Sequence, residues 1–489
     1  MKQFTRISAA LVCAAMLTLT ACSGDSGTSG NSQTSSQGGS GTTPATRPTD
    51  VGNVDKTEYA EYGFSMKEYD VTNKTVKIFV GPERTKADYL STTEIPGSFE
   101  LMKAYYGIDV ELVSCGDYND WYTKLAMLSL SDQSPDVATP LSESYPYDIV
   151  KNNILPLDEY FDWNDPVWDG TRDILENYSW NGKHYHAVYN DGQYMNPLFY
   201  NPKMFKQNGL KTPRDYMEEN NWTWTTMREL AVELTQDTDQ DGKIDQWGVG
   251  GLFFTALQES TGKSLVTVDG KNITNNIDDP VFAKAAQYIY DLGQKGKYKC
   301  ATAFSHDNAD LFASGQVAMD AGSHYRAWTT YKDMWAQGTV DVVPFPRMDE
   351  NDSYYNGGVP SSVVIFKNAK NIEGAKAFIW TYAYVNSQDY KDKVNAYKDA
   401  HNLSKDSYSW LNIDIPNLTE EQKQHIADAI WEGDYKDNPN TWIGWFNNGW
   451  DNGLQYAHEK QWSAIVNIYK NQFDANIASY KEILDGLTA

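Results

Sequence analysis

The chain reads as an α/β protein with two lobes, and three observations lead there. Its 489 residues exceed what one hydrophobic core usually organises, so about two cores are expected. Short β-rich runs alternate with amphipathic helical stripes, the pattern of parallel strands covered by helices. The composition, 40% hydrophobic and 22% charged, is that of a folded chain and not a disordered one.

The elements follow in order. Residues 75–80 (TVKIFV) are β-rich, 96–106 suit a helix, and 109–114 (DVELVS) alternate apolar with polar. Residues 121–130 form a second helical stretch before the short apolar strand 135–138 (PDVA). Further on, Thr223 is placed to cap a helix that carries Trp224, Met227, Leu230, Ala231 and Leu234 on one face. Asp279-Pro280 opens another, whose stripe Phe282, Ala285, Ile289, Leu292 ends at Gly293. A third stripe is Ile372, Ala375, Phe378, Ile379 and Tyr382. All three are core faces, and no repeat of fixed period occurs.

The first fifty residues read as an address. Lys2 and Arg6 precede an uncharged, mostly apolar run, 7–20, too short to span a bilayer, which needs about 20 residues. The run ends in Leu19-Thr20-Ala21-Cys22, which resembles a bacterial lipobox; the resemblance implies removal of 1–21 and a diacylglycerol on Cys22. Ordinary cleavage beside an incidental thiol is the alternative. Residues 23–49 hold 7 Ser, 6 Gly and 6 Thr, too little apolar surface to fold, and make a tether spanning about 30 Å. With Cys22 and the approach to the body, the tether runs over 22–55. The expected location is the outer face of a bacterial membrane.

The formal charge of −25 becomes −27 without the two basic residues of the leader. So acidic a surface repels phosphate backbones and excludes nucleic acid as a partner. Four cysteines are too few for a disulfide scaffold; Cys115 and Cys300, the two left in the body, read as unpaired buried thiols.

Several segments in one order resemble the extracellular solute-binding proteins of ATP-driven sugar importers, the maltose-binding-like group. Trp180-Asn181-Gly182-Lys183-His184-Tyr185 is similar to that family's G-K-x-Y hairpin, and Tyr200-Asn201-Pro202-Lys203-Met204-Phe205 to its Y-N-x-x-x-F. Trp222-Thr223-Trp224 matches its W-T-W helix start, and residues 312–319 (FASGQVAM) its F-x-x-G-x-x-A-M. Pro344 to Arg347 (PFPR), Gly357-Gly358 and the 371–383 helix follow in sequence. The match runs over 75–385 and loosens after 390. It implies a two-lobed, periplasmic-binding-protein-like fold of type II with a ligand cleft between lobes. Residues 56–190 plus 352–388 would form the first lobe, and 191–351 plus 389–489 the second. It further implies a monomeric, non-catalytic receptor that hands a carbohydrate to the transmembrane subunits of a permease, with no cofactor required.

Aromatics make up 13% of the chain, which suits sugars: flat C–H faces rest on Trp and Tyr rings, and hydroxyls pair with Asp, Glu, Asn, Gln and Arg. Loops after strands supply the candidates: Glu83 and Arg84; Ser142, Glu143 and Tyr145; Asp191, Gln193 and Tyr194 at the first crossing; Gln258 near Phe254; and Ser323, His324 and Tyr325, with Trp328 beyond. Tyr325 is preferred to His324, and Glu83 with Arg84 also reads as a solvated surface pair. The 431–450 segment adds Trp442, Trp445 and Trp450; Trp442, Trp445 and Phe446 share a helical face, which fits core packing as well as stacking. A different class, an exported glycoside hydrolase, would need two carboxylates about 5–9.5 Å apart; Glu83, Glu143 and Asp191 are the groups at hand, and no hydrolase signature accompanies them. The same fold holding a peptide or an anion is a third reading.

Residues 237–245 (DTDQDGKID) fit the start of a calcium loop, with Asp237, Asp239 and Asp241 at alternate positions, the Lys243 carbonyl, and Asp245 at position 9. Position 12 is Gly248 where a bidentate Glu belongs. A structural calcium and a plain turn both remain open.

Overall fold

The structure is a computed structural model. It describes residues 50–487 except 83, 92–94, 141–144, 194–195, 252–253, 270, 294–308, 357–358, 404–417, 420, 424, 427–434 and 438–459.

Two sheets organise two cores. The first sheet orders its strands Asp109–Ser114, Thr75–Val80, Val137–Ala138, Val359–Ile365 and Ala187–Gln193. The three earliest run parallel, Ile78 beside both Leu112 and Val137, while Val359–Ile365 runs against Val137–Ala138 and against Ala187–Gln193. The second sheet orders Asp341–Val343, Leu198–Tyr200, Val317–Ala321 and Trp247–Gly250. Here Val317–Ala321 is parallel to Trp247–Gly250 and antiparallel to Leu198–Tyr200.

Local chemistry sets the helix starts. Thr223 accepts the Thr226 N–H and opens Trp224–Glu233, whose stripe is buried as its spacing requires. Asp279 accepts from the Val281 N–H at 3.0 Å before Pro280–Gly293, and Asn371 accepts from Gly374 before Ile372–Asn386. Between Ser179–Trp180 and Lys183–His184 the chain turns through Asn181 (φ 53°) and Gly182 (φ 71°), both left-handed, as a two-residue hairpin demands. Sequence segments far apart also meet: the Trp222 Nε1–H donates to the Pro344 carbonyl at 2.8 Å, and the Trp224 N–H to that of Arg347 at 2.9 Å.

One core gathers Phe79, Trp121, Trp168, Trp180, Phe366 and Phe378; the other Phe199, Trp222, Trp224, Phe282, Phe312 and Tyr331. The family division puts 389–489 with the second lobe, but the helix Gln388–His401 packs on the first core. Tyr397 stacks on Tyr62 at 3.9 Å, and the Tyr390 hydroxyl donates to the Pro96 carbonyl at 2.6 Å. The last helix, Trp462–Leu487, belongs to both cores. Trp462, Ile465 and Phe473 lie in the second, and Ile477, Tyr480 and Leu484 in the first. Among the described residues no helix is long and apolar enough to cross a membrane. Cys115 is buried; Cys300 lies outside the described residues.

Candidate functional site

Strand direction brings the candidate loops together. In the first sheet Val80, Ser114 and Ala138 are the final residues of parallel strands, so they lie along one edge. Val359 begins its strand and pairs with Gln193, the end of another, and both therefore fall on that edge too. In the second sheet Leu198 begins its strand opposite Ala321 and Val343, which end theirs, while Gly250 ends beside Asp320. Gln193, at the first edge, is followed five residues later in the chain by Leu198, at the second. A cleft built there is walled by the loops that follow strands.

Only part of the expected set falls among the described residues. Arg84 follows the first strand, is exposed, and its charge is felt at Tyr189 on the edge strand Ala187–Gln193. Burial pushes the Tyr189 hydroxyl up, and Ser361 and Arg84 partly offset it. Asp191 and Gln193 end that strand at the edge, with their side chains outside the described residues. Glu83, Ser142, Glu143, Tyr194, Trp442, Trp445, Trp450 and Cys22 also lie outside the described residues.

Two expectations are corrected. Tyr145 is 2% exposed, packs edge-on to Tyr178 and His186, and donates its hydroxyl to the Ser179 carbonyl at 2.8 Å. It anchors its loop to the 179–184 hairpin. Gln258 is 1% exposed and donates from Nε2 to the Lys263 carbonyl at 3.2 Å, bracing the turn after the helix Phe254–Ser260. Neither side chain faces solution.

The loop after Val317–Ala321 fares differently. Ser323 precedes a short 3-10 turn, His324 is 8% exposed against Trp328 at 5.3 Å, and Tyr325 stands 50% exposed. Beneath it lies a group that sequence reasoning missed. Asp320, fully buried, accepts from Arg326 at 2.8 Å and from the Tyr331 hydroxyl at 2.6 Å. A Cβ at Gly251 or Gly322 would come within 2.4 or 2.5 Å of that carboxylate, so both glycines make room for it. The ion pair ties Arg326 to the strand and fixes the turn that presents Tyr325. The nearest signal in the sequence was an acidic residue inside a wholly apolar strand, five residues before the ring it serves.

A second buried acid sits by the crossing. Asn196 donates to Glu259 at 2.8 Å, and burial, slightly opposed by that bond, pushes the Glu259 carboxyl up to about 8.

In the 237–245 loop, carboxylate oxygens of Asp237, Asp239 and Asp245 lie within 4.8 Å of one another. The same side chains accept backbone N–H groups: Asp237 from Asp241 and Gly242, Asp245 from Thr238. Gly242 makes the sharp turn at φ 89°. Position 12 is closed to any side chain, because a Cβ at Gly248 would lie 1.9 Å from the Ala231 carbonyl oxygen. Calcium takes six to eight oxygens, so these three carboxylates, binding through one oxygen each, would need further ligands around the loop.

Comparisons with known proteins agree with this architecture. Solved structures of similar fold include a solute-binding protein from Thermotoga lettingae bound to α-D-tagatose, 18% identical, covering 84% of this chain and 100% of that one, TM-score 0.55. An extracellular solute-binding protein from Staphylococcus aureus in complex with maltose is 16% identical, with 84% and 99% covered and TM-score 0.54. UgpB from Mycobacterium tuberculosis, in complex with glycerophosphocholine, is 14% identical, with 80% and 95% covered and TM-score 0.53. No curated protein sequence matches the chain. The family profile of bacterial extracellular solute-binding proteins matches residues 81–392, and the chain therefore belongs to that family.

Proposed function

We propose that the chain is the substrate-binding component of an ABC importer, capturing a carbohydrate, in particular an oligosaccharide, and delivering it to the permease subunits. The observation that carries this reading is the pair of sheet edges on either side of 194–197, one bearing Arg84 and the other the exposed ring of Tyr325. Ring faces and charged hydrogen-bonding groups are what a polyhydroxylated solute needs. Tagatose and maltose, held by two proteins of similar fold, are solutes of this kind. A ligand touching both lobes favours the closed arrangement by no more than its differential affinity for it.

In this reading the protein acts as a monomer without catalysis, held outside the membrane by a lipid on Cys22 and free to search over the reach of its tether. A calcium ion at Asp237, Asp239, Asp241, Lys243 and Asp245 would be structural, since the loop stands at the base of Trp247–Gly250, before the strand begins. One specific observation favours a second reading. Arg84 at the edge, together with the glycerophosphocholine held by the mycobacterial relative, suits a phosphodiester.

The test is a thermal-shift and calorimetric panel of D-tagatose, maltose, maltotetraose and glycerophosphocholine. A sugar at a hundredfold over its Kd should add about 2.7 kcal/mol of stability. A response to glycerophosphocholine alone would reject the carbohydrate reading.

A further inference from the structure

We infer that Tyr118 is a ligand-stacking platform of the first lobe, an inference that rests on the carbohydrate reading above. Tyr118 opens the short 3-10 turn Tyr118–Asp120, four residues beyond the end of Asp109–Ser114. The Cys115 N–H still bonds the Val80 carbonyl at 2.9 Å, so the loop leaves from the sheet edge that also carries Arg84 and Gln193. The Tyr118 ring is 45% exposed, among the few large apolar side chains of the described residues that are.

What lies behind it gives the ring its character. Tyr118 lies nearly parallel to Trp121, centroids 6.4 Å apart and planes 23° from each other. Trp121 is 1% exposed and packs on Phe79 of the first strand at 4.6 Å. Three rings thus run from the sheet to the surface, and the outermost lies nearly parallel to, and offset from, a buried tryptophan. A ring so supported loses little freedom when something stacks on its open side, and preorganisation of this kind is what makes aromatic contacts productive. Its sequence neighbours include Asp117 and Asp120, acceptors of the sort that hold hydroxyls beside a stacked sugar ring. Exposure at Tyr118 is therefore a recognition feature and not an incidental surface ring.

The experiment compares the parent with Tyr118→Ala, Tyr118→Phe and Met127→Ala by calorimetry against maltose and maltotetraose. Met127, 68% exposed on the helix that follows, is the control for a surface apolar residue outside the site. Loss of the platform should weaken the sugar that the parent binds by about tenfold in Tyr118→Ala, stacking being worth about 0.5–1.5 kcal/mol beyond the area buried. Tyr118→Phe should stay within about threefold of the parent, and the unliganded melting temperatures of all variants should agree. Parent-like affinity in Tyr118→Ala overturns the assignment while leaving the receptor reading intact. A parent that binds neither maltose nor maltotetraose overturns the platform assignment, and the carbohydrate reading falls with it only if D-tagatose also fails to bind.

Discussion

Asp320→Asn removes one charge and changes almost no volume, so its cost isolates the buried ion pair. The carboxylate is fully buried, and the Arg326 side chain it meets at 2.8 Å is 10% exposed. Breaking such a pair from one side costs about 3–5 kcal/mol, most of it from the charge left behind in a poorly solvated place. The Tyr331 hydroxyl, 2.6 Å from the same oxygen, loses a charged acceptor and adds to the loss. With a urea m-value of about 3 kcal/mol/M, the midpoint should fall by roughly 1–1.7 M. The assay is equilibrium urea unfolding followed by tryptophan fluorescence, with Asp320→Asn/Arg326→Met alongside. Removing both charges should recover more than about 1 kcal/mol relative to Asp320→Asn alone, because the stranded guanidinium is gone. A midpoint within about 0.2 M of the parent for Asp320→Asn would refute the reasoning, as would a double variant less stable than the single one by the full cost of Arg326→Met.

Two further outcomes follow from other groups. Burial raises the folded-state carboxyl of Glu259 to about 8, so the folded chain holds that proton where the unfolded chain releases it. Its contribution is whole below about pH 4.5 and is lost as pH rises to about 8. Glu259→Gln should therefore gain stability over the parent progressively across that window; a difference independent of pH in urea titrations would count against it. For the 237–245 loop, millimolar calcium should raise the melting temperature of the parent and leave Asp239→Asn unmoved, whereas an unchanged parent assigns the loop to turn formation alone.

Much of the architecture was legible because it rests on local chemistry. Thr75–Val80 and Asp109–Ser114 announce themselves by β-branched runs, and Thr223 and Asp279 by caps whose hydrogen bonds form within a few residues. The edges were legible too, since strand direction alone decides which loops gather. Orientation of single side chains was not. Tyr145 and Gln258 sit on the expected loops yet turn inward, and what turns them, the carbonyls of Ser179 and Lys263, is settled by packing. Tyr118 escaped notice because its value depends on Trp121 behind it, and Trp121 reads in sequence as one more apolar residue of a helix start. The hold of Gln388–His401 on the first core depends on Tyr62 and Pro96, some three hundred residues earlier.

The terminal helix carries a mechanical consequence. Its 26 residues make a rod about 39 Å long, whose first half enters one core through Trp462, Ile465 and Phe473 and whose second half enters the other through Ile477, Tyr480 and Leu484. A rod whose two halves are embedded in different cores splints one to the other. Any shift of one core against the other would have to bend it about Asp474 to Asn476 or pull one half from its seat.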